Sequence, residues 1–166
     1  MTASEVLELS LELAGLSDVP ADSGVLVPGE LGDKVLFAID VGVAELLLAR
    51  ELRASGVIAH HPPGGLPRLG WHEVLWRHAK LLISYGVPEE EARTAVGELV
   101  REFAARDHTA NYDHVPAAAR ALGLPLVGST PRWTSSAGGG WPRRWRICLL
   151  GPRWGSWWKR SAPCPS

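Results

Sequence analysis

Between Lys34 and Ala59 the chain sets a strand, a helix and a second strand in direct succession, and no other stretch constrains its fold as much. Lys34–Ile39 is short, apolar and rich in branched side chains, which predicts a buried strand. Asp40 follows, then a helical pattern from Val43 to Ser55, then a second short strand at Val57–Ala59. An antiparallel hairpin closes through a tight turn, whereas a helix of about 15 residues between two strands is the crossover of a parallel pair. The pattern predicts an α/β fold, a mixed sheet with flanking helices.

The flanking sequence supplies the other layers. Ser4–Leu16 predicts a helix with Ser4 as N-cap and a stop at Gly15. Residues 17–32, with Pro20, Gly24, Pro28, Gly29 and Gly32, read as a loop around an extended piece, Val25–Val27. Trp71–Tyr85 predicts a helix stopped by Gly86. Pro88 opens another, running through Glu89, Glu90 and Glu91 to about Ala105. Asp107–Asp113 reads as polar and irregular, Pro116–Leu122 as a short helix capped by Gly123, and Leu124–Val127 as the start of a strand.

Composition divides the chain. At 166 residues, 46% apolar and 21% charged, it has the material for one globular core, which excludes collagen-like, disulfide-framework and wholly disordered classes. No apolar run approaches the ~18 residues of a membrane span. The first turns carry Glu5, Glu8 and Glu12 and no cation, so no secretory or mitochondrial leader is expected and a cytoplasmic location is. Residues 1–128 hold all 18 acids and a net charge of −8, whereas residues 129–166 hold no acid and a net charge of +7. The same tail holds six of the eight tryptophans, with Cys148 and Cys164.

Two readings fit that tail. Cations and aromatic rings suit single-stranded nucleic acid, where rings stack on bases and cations track phosphates. The other reading is translation in a shifted frame. Tryptophan has one codon, so reading from each third base forces Asp at Trp133-Thr134, Ala at Trp141-Pro142, Gly at Trp154-Gly155, Val at Trp157-Trp158 and Glu at Trp158-Lys159. The shifted frame permits acidic, amphipathic helices like those of residues 1–128. The second reading is preferred, so residues 129–166 are expected to be an out-of-frame or disordered segment and nucleic acid is not expected as a partner.

Candidate chemistry lies at predicted strand ends, where the loops of a parallel sheet gather ligands. Asp40 follows the first strand; His60 and His61 follow the second, ahead of Pro62 and Pro63. Neighbouring residues on a regular strand face opposite ways, but the two prolines end the pairing, and an irregular backbone brings both imidazoles to one ion. A pair of surface histidines in a Pro-rich turn fits the spacing equally well. Asp107, His108, Asp113 and His114 form a second polar cluster, in which Asp113 is a helix N-cap or a ligand. His72 and His78 read as packing or solvated side chains. The chain has neither a phosphate-binding loop of the Walker type nor a nucleophile elbow, and its cysteines lack metal-ligand spacing.

The segment Leu36–Asp40 with its helix, then Val57-Ile58-Ala59-His60-His61-Pro62, resembles the Nif-three-like family (NGG-one-interacting factor three), many members of which are type 2 GTP cyclohydrolase I homologues. Pro20–Gly24 and Ala110–Val115 match the same family, and the resemblance runs over residues 4–127. It implies an α/β fold incomplete at the C-terminus and a two-metal site with His60, His61 and Asp113 as ligands, Asp40 and His108 in its vicinity. It also implies divalent ions (Zn, Mn or Fe), homo-oligomers and a small-molecule substrate; the lack of a long apolar run is the ground for expecting no membrane partner. The family's remaining ligands come from a more C-terminal region, so the site is expected to be incomplete here. The functional expectation is a metal-dependent hydrolase of a phosphate or nucleotide-type substrate. The alternatives are a non-enzymatic assembly module and a nucleic-acid binder acting through the tail.

Overall fold

The computed structural model describes residues 1–129 and the backbone of residues 146–150. In chain order the elements are helix α1 (Ala3–Ala14), strands β1 (Gly24–Val27) and β2 (Lys34–Ala38), helix α2 (Val43–Glu51) and strand β3 (Val57–Ala59). Then come helix α3 (Gly65–Gly70), a 3-10 helix (Trp71–Leu75), helices α4 (Trp76–Ser84), α5 (Glu89–Thr109) and α6 (His114–Leu122), and strands β4 (Leu126–Gly128) and β5 (Arg146–Leu150).

The sheet runs β1-β4-β3-β2-β5, with β4, β3, β2 and β5 parallel and β1 antiparallel at one edge. The β2–α2–β3 unit is the expected one: β2 and β3 are parallel neighbours, Leu36 opposite Val57 and Ala38 opposite Ala59. Its alternating side chains feed two cores. Leu36, Ala38, Val57, Ala59 and Leu126 pack on Leu46 and Ala49 of α2 and Ala119 of α6. Val35, Ile58 and Val127 point the other way, onto Ala3, Val6 and Leu7 of α1. The period of two along each strand thus covers both sheet faces with helices. A third apolar cluster, Leu75, Ala79, Val96 and Val100, binds the 3-10 helix and α4 to α5. Among the described residues no helix is long and apolar enough to cross a membrane.

Several boundaries differ from the pattern-based expectation. The first N-cap is Thr2, not Ser4: its hydroxyl accepts from Glu5 N while its own N–H donates to Glu5 Oε2 at 2.7 Å, a capping box, and Gly15 closes the helix at φ 65°. Helix α2 stops at Glu51, short of Ser55, because Arg53 takes φ 54° and turns the chain into β3. The single helix expected over Trp71–Tyr85 is a 3-10 segment followed by α4, and α3 precedes it, unexpected in a stretch bracketed by glycines. Helix α5 continues to Thr109, so Asp107 and His108 are helical and not irregular. Asp107 is buried there, and its polar partners hold the last turn in place.

Residues 129–166 were expected to lack regular structure. Arg146–Leu150 corrects that: its backbone pairs in parallel with β2, Val35 opposite Ile147 and Ala38 opposite Leu150. Ile147-Cys148-Leu149-Leu150 is an apolar run bordered by polar and glycine residues, a pattern that suits a short sheet strand. Residues 130–145 and 151–166, with all six tail tryptophans, lie outside the described residues, as do the reading-frame and disorder expectations for them.

Candidate metal centre

Three backbone hydrogen bonds build the site. His60 N donates to Ala38 O at 2.9 Å, His61 N to Ile39 O at 2.8 Å and Ser129 N to Ala59 O at 2.8 Å. They carry the parallel ladder one step past the carboxyl ends of β2, β3 and β4, so Asp40, His60, His61 and Ser129 emerge side by side. Past Ala59 the chain leaves strand geometry, and the two adjacent imidazoles lie together, ring centres 5.1 Å apart and planes tilted by 35°.

The two rings differ in surroundings. His61 is half exposed, and its Nδ1 lies 2.9 Å from Asp40 Oδ1. A carboxylate on Nδ1 fixes the tautomer and leaves Nε2 as the donor atom. His60 is more enclosed. Burial first, then the neighbouring His61, hold its imidazole below the ordinary range; a hydrogen bond with the Ser129 backbone and the carboxylates of Asp22 and Asp40 act against this. Asp22 is buried at 3% exposure beside Ser23, whose hydroxyl donates to Asp22 Oδ1 at 3.3 Å.

Asp113 reaches the same end of the sheet by another route. Gly65 N donates to Tyr112 O at 2.7 Å, and a Cβ on Gly64 would collide with that carbonyl and with the Pro116 ring. The loop before α6 is thus pressed onto the turn that follows His60 and His61. Asp113 occupies the N-cap position of α6, but its side chain makes no capping bond and instead accepts from Arg120 Nη2 at 2.5 Å. His108 is exposed in the last turn of α5. His78 is exposed on α4, whereas His72 is largely covered, its Nε2 3.2 Å from Glu73 Oε1.

The donors fit a transition ion in part. Two imidazoles on one ion, each nitrogen at about 2.0–2.1 Å and tetrahedrally disposed, put their ring centres about 5 Å apart. The observed 5.1 Å satisfies that condition. Among the described residues, however, no three His, Cys, Asp or Glu side chains converge on one point. Asp113 would have to exchange Arg120 for the ion. Motif reading passed over Asp22, Ser129 and the partners of Asp107; Asp22, an acid two residues ahead of β1, carried a signal only through the Pro20–Gly24 match.

No protein-family model matches the chain, and no curated protein matches it. Among solved structures, a NIF3 superfamily protein from Sphaerobacter thermophilus is similar at 43% identity and a TM-score of 0.72. The likeness covers 78% of this chain and 47% of that one, so the chain spans less than half the length of this relative.

Proposed function

The chain belongs to the NIF3 superfamily, and from that premise we propose that it carries a divalent-metal centre in which His60 and His61 are the principal ligands and Asp113 the third. One observation carries the reading: two imidazoles 5.1 Å apart at the carboxyl end of a parallel sheet, one of them held through Nδ1 by Asp40. A divalent ion there supplies Lewis acidity and a lowered pKa for water, the chemistry of hydrolysis at a phosphate ester or a nucleotide ring.

The residues of the chain set the conditions. Burial keeps His60 neutral near pH 7, the ligand form of imidazole. Asp40 holds the tautomer of His61 that offers Nε2. Arg120 pairs with the Asp113 carboxylate at 2.5 Å, a contact that Asp113 would give up to serve as a ligand. The divergence of donors among the described residues favours a second reading, a binding or assembly role on the same fold without turnover.

Calorimetric titration with Zn2+ and Mn2+ tests the ligands. The expected result is stoichiometric binding that is lost on replacing both His60 and His61 by Ala, weakened about 10–100-fold by Asp40→Asn, and unchanged by His78→Ala. Equal binding by the double variant overturns the assignment. Release of phosphate or an opened base from a nucleotide panel by the metal-loaded chain separates hydrolase from assembly module.

A further inference from the structure

Asp107 is a carboxylate at 1% exposure in the last turn of α5, and its partners all come from the segment after the histidine turn or from its own helix. Oδ1 accepts from Arg68 Nη2 of α3 at 2.8 Å and lies 3.5 Å from Arg106 Nε; Oδ2 accepts from the indole Nε1 of Trp71. The rings close the group. Trp71 meets Phe103 edge-on at 4.8 Å, Arg106 lies 4.2 Å over the Phe103 ring, and Arg68 stands 6.0 Å from the Trp71 ring.

This cluster is more than helix packing. The α4–α5 contact already has its own apolar seam, whose buried side chains end at Val100; Trp71 and Phe103 pack against it and carry it to the turn of Asp107, where the contacts become polar. What Asp107 adds is a link between two chain segments that both lead to the candidate centre. Arg68 and Trp71 begin four residues or fewer after Gly64 and Gly70, on the run that leaves His60 and His61. Asp107 stands six residues before Asp113, on the run that delivers it. The same two runs touch again at Gly65 N and Tyr112 O, 2.7 Å apart, with Gly64 flush against that carbonyl. Two attachments fix a relative orientation that one hydrogen bond leaves open to pivoting.

We propose that Asp107, through Arg68 and Trp71, is a positioning residue that seats the Asp113 loop on the His60-His61 turn. The inference rests on the metal centre proposed above for its functional meaning, but the seating itself is measurable without metal.

Hydrogen–deuterium exchange on the metal-free full chain, with Asp107→Asn and Trp71→Phe, reads it out. Asp107→Asn keeps the shape and removes the charge; Trp71→Phe removes one donor and serves where the first variant fails to fold. The expected result is exchange roughly tenfold faster or more in peptides covering 62–67 and 109–116, with α1 and β2 unchanged. Zinc affinity falls about tenfold in the same variants and is unaffected by His78→Ala. Unchanged exchange at 109–116, or equal loosening of α1 and β2, overturns the proposal. A wild-type chain that takes up no zinc refutes the metal reading alone, and the local exchange pattern then decides the seating by itself.

Discussion

Gly64→Ala separates a close approach from ordinary backbone freedom. Gly64 is extended, at φ 169°, so alanine adds no backbone strain. The obstacle is room: the new methyl group would overlap Tyr112 O and lie 2.6 Å from Pro116 Cδ and 2.9 Å from its Cγ. Neither neighbour is the end of a flexible side chain. The loop must withdraw, which costs about 1–3 kcal/mol in overpacking and about 1 kcal/mol for the Gly65–Tyr112 hydrogen bond. The sum, about 2–4 kcal/mol, corresponds to a fall of roughly 4–16 °C in thermal midpoint for a chain of this size. Gly123→Ala is the comparison: nothing lies within 4 Å of its Cβ position, and its φ of 67° alone sets the cost, about 1–2 kcal/mol. Both midpoints are read by circular dichroism, and zinc titration should weaken for Gly64→Ala and not for Gly123→Ala. A Gly64→Ala midpoint within about 1 °C of wild type, with metal uptake unaltered, refutes the close-approach reasoning.

Other outcomes follow from particular contacts. Leu46 is fully buried in the α2 face of the sheet and Leu47 is 52% exposed; urea unfolding should show Leu46→Ala losing about 2–5 kcal/mol and Leu47→Ala about 0.5 kcal/mol or less. Because the His60 imidazole is held below its ordinary range, the folded chain takes up that proton less readily than the unfolded chain. Its contribution to stability is complete above about pH 6.5 and is lost as pH falls through the folded value; His60→Asn should flatten that part of the pH–stability curve. Sequencing the gene across codons 125–166 should reveal an acidic continuation in the frame read from the third base, with the forced Asp, Val and Glu; a frame interrupted by early stops would return the tail to the nucleic-acid reading.

The β2–α2–β3 unit was legible because its signals are local: one short branched apolar run, one helix period and a second run ending at two prolines. Gly15 and Gly123 were legible as stops because each sits in the left-handed region where a side chain is costly. The α3 and 3-10 turns were not, since their order depends on Trp71 and Arg68 finding Asp107, thirty-six and thirty-nine residues away along the chain. For the same reason the last turn of α5 looked like a polar loop: a buried acid reads as solvated until its distant partners are known. The histidine pair could be read as a pair but not as a cluster. Whether the two rings converge depends on how Pro62 and Pro63 release the backbone, and whether Asp113 joins them depends on Gly64 and Tyr112 meeting from opposite ends of the helical excursion.

X-ray absorption at the zinc edge, on the purified chain loaded with one equivalent of Zn2+, tests the centre most directly. Ligation by His60 and His61 predicts the multiple-scattering signature of two imidazoles with nitrogen at about 2.0–2.1 Å, reduced to one in either single alanine variant and to none in the double variant. A zinc spectrum with oxygen ligands alone, or one indifferent to both substitutions, would contradict a metal centre at the end of β3.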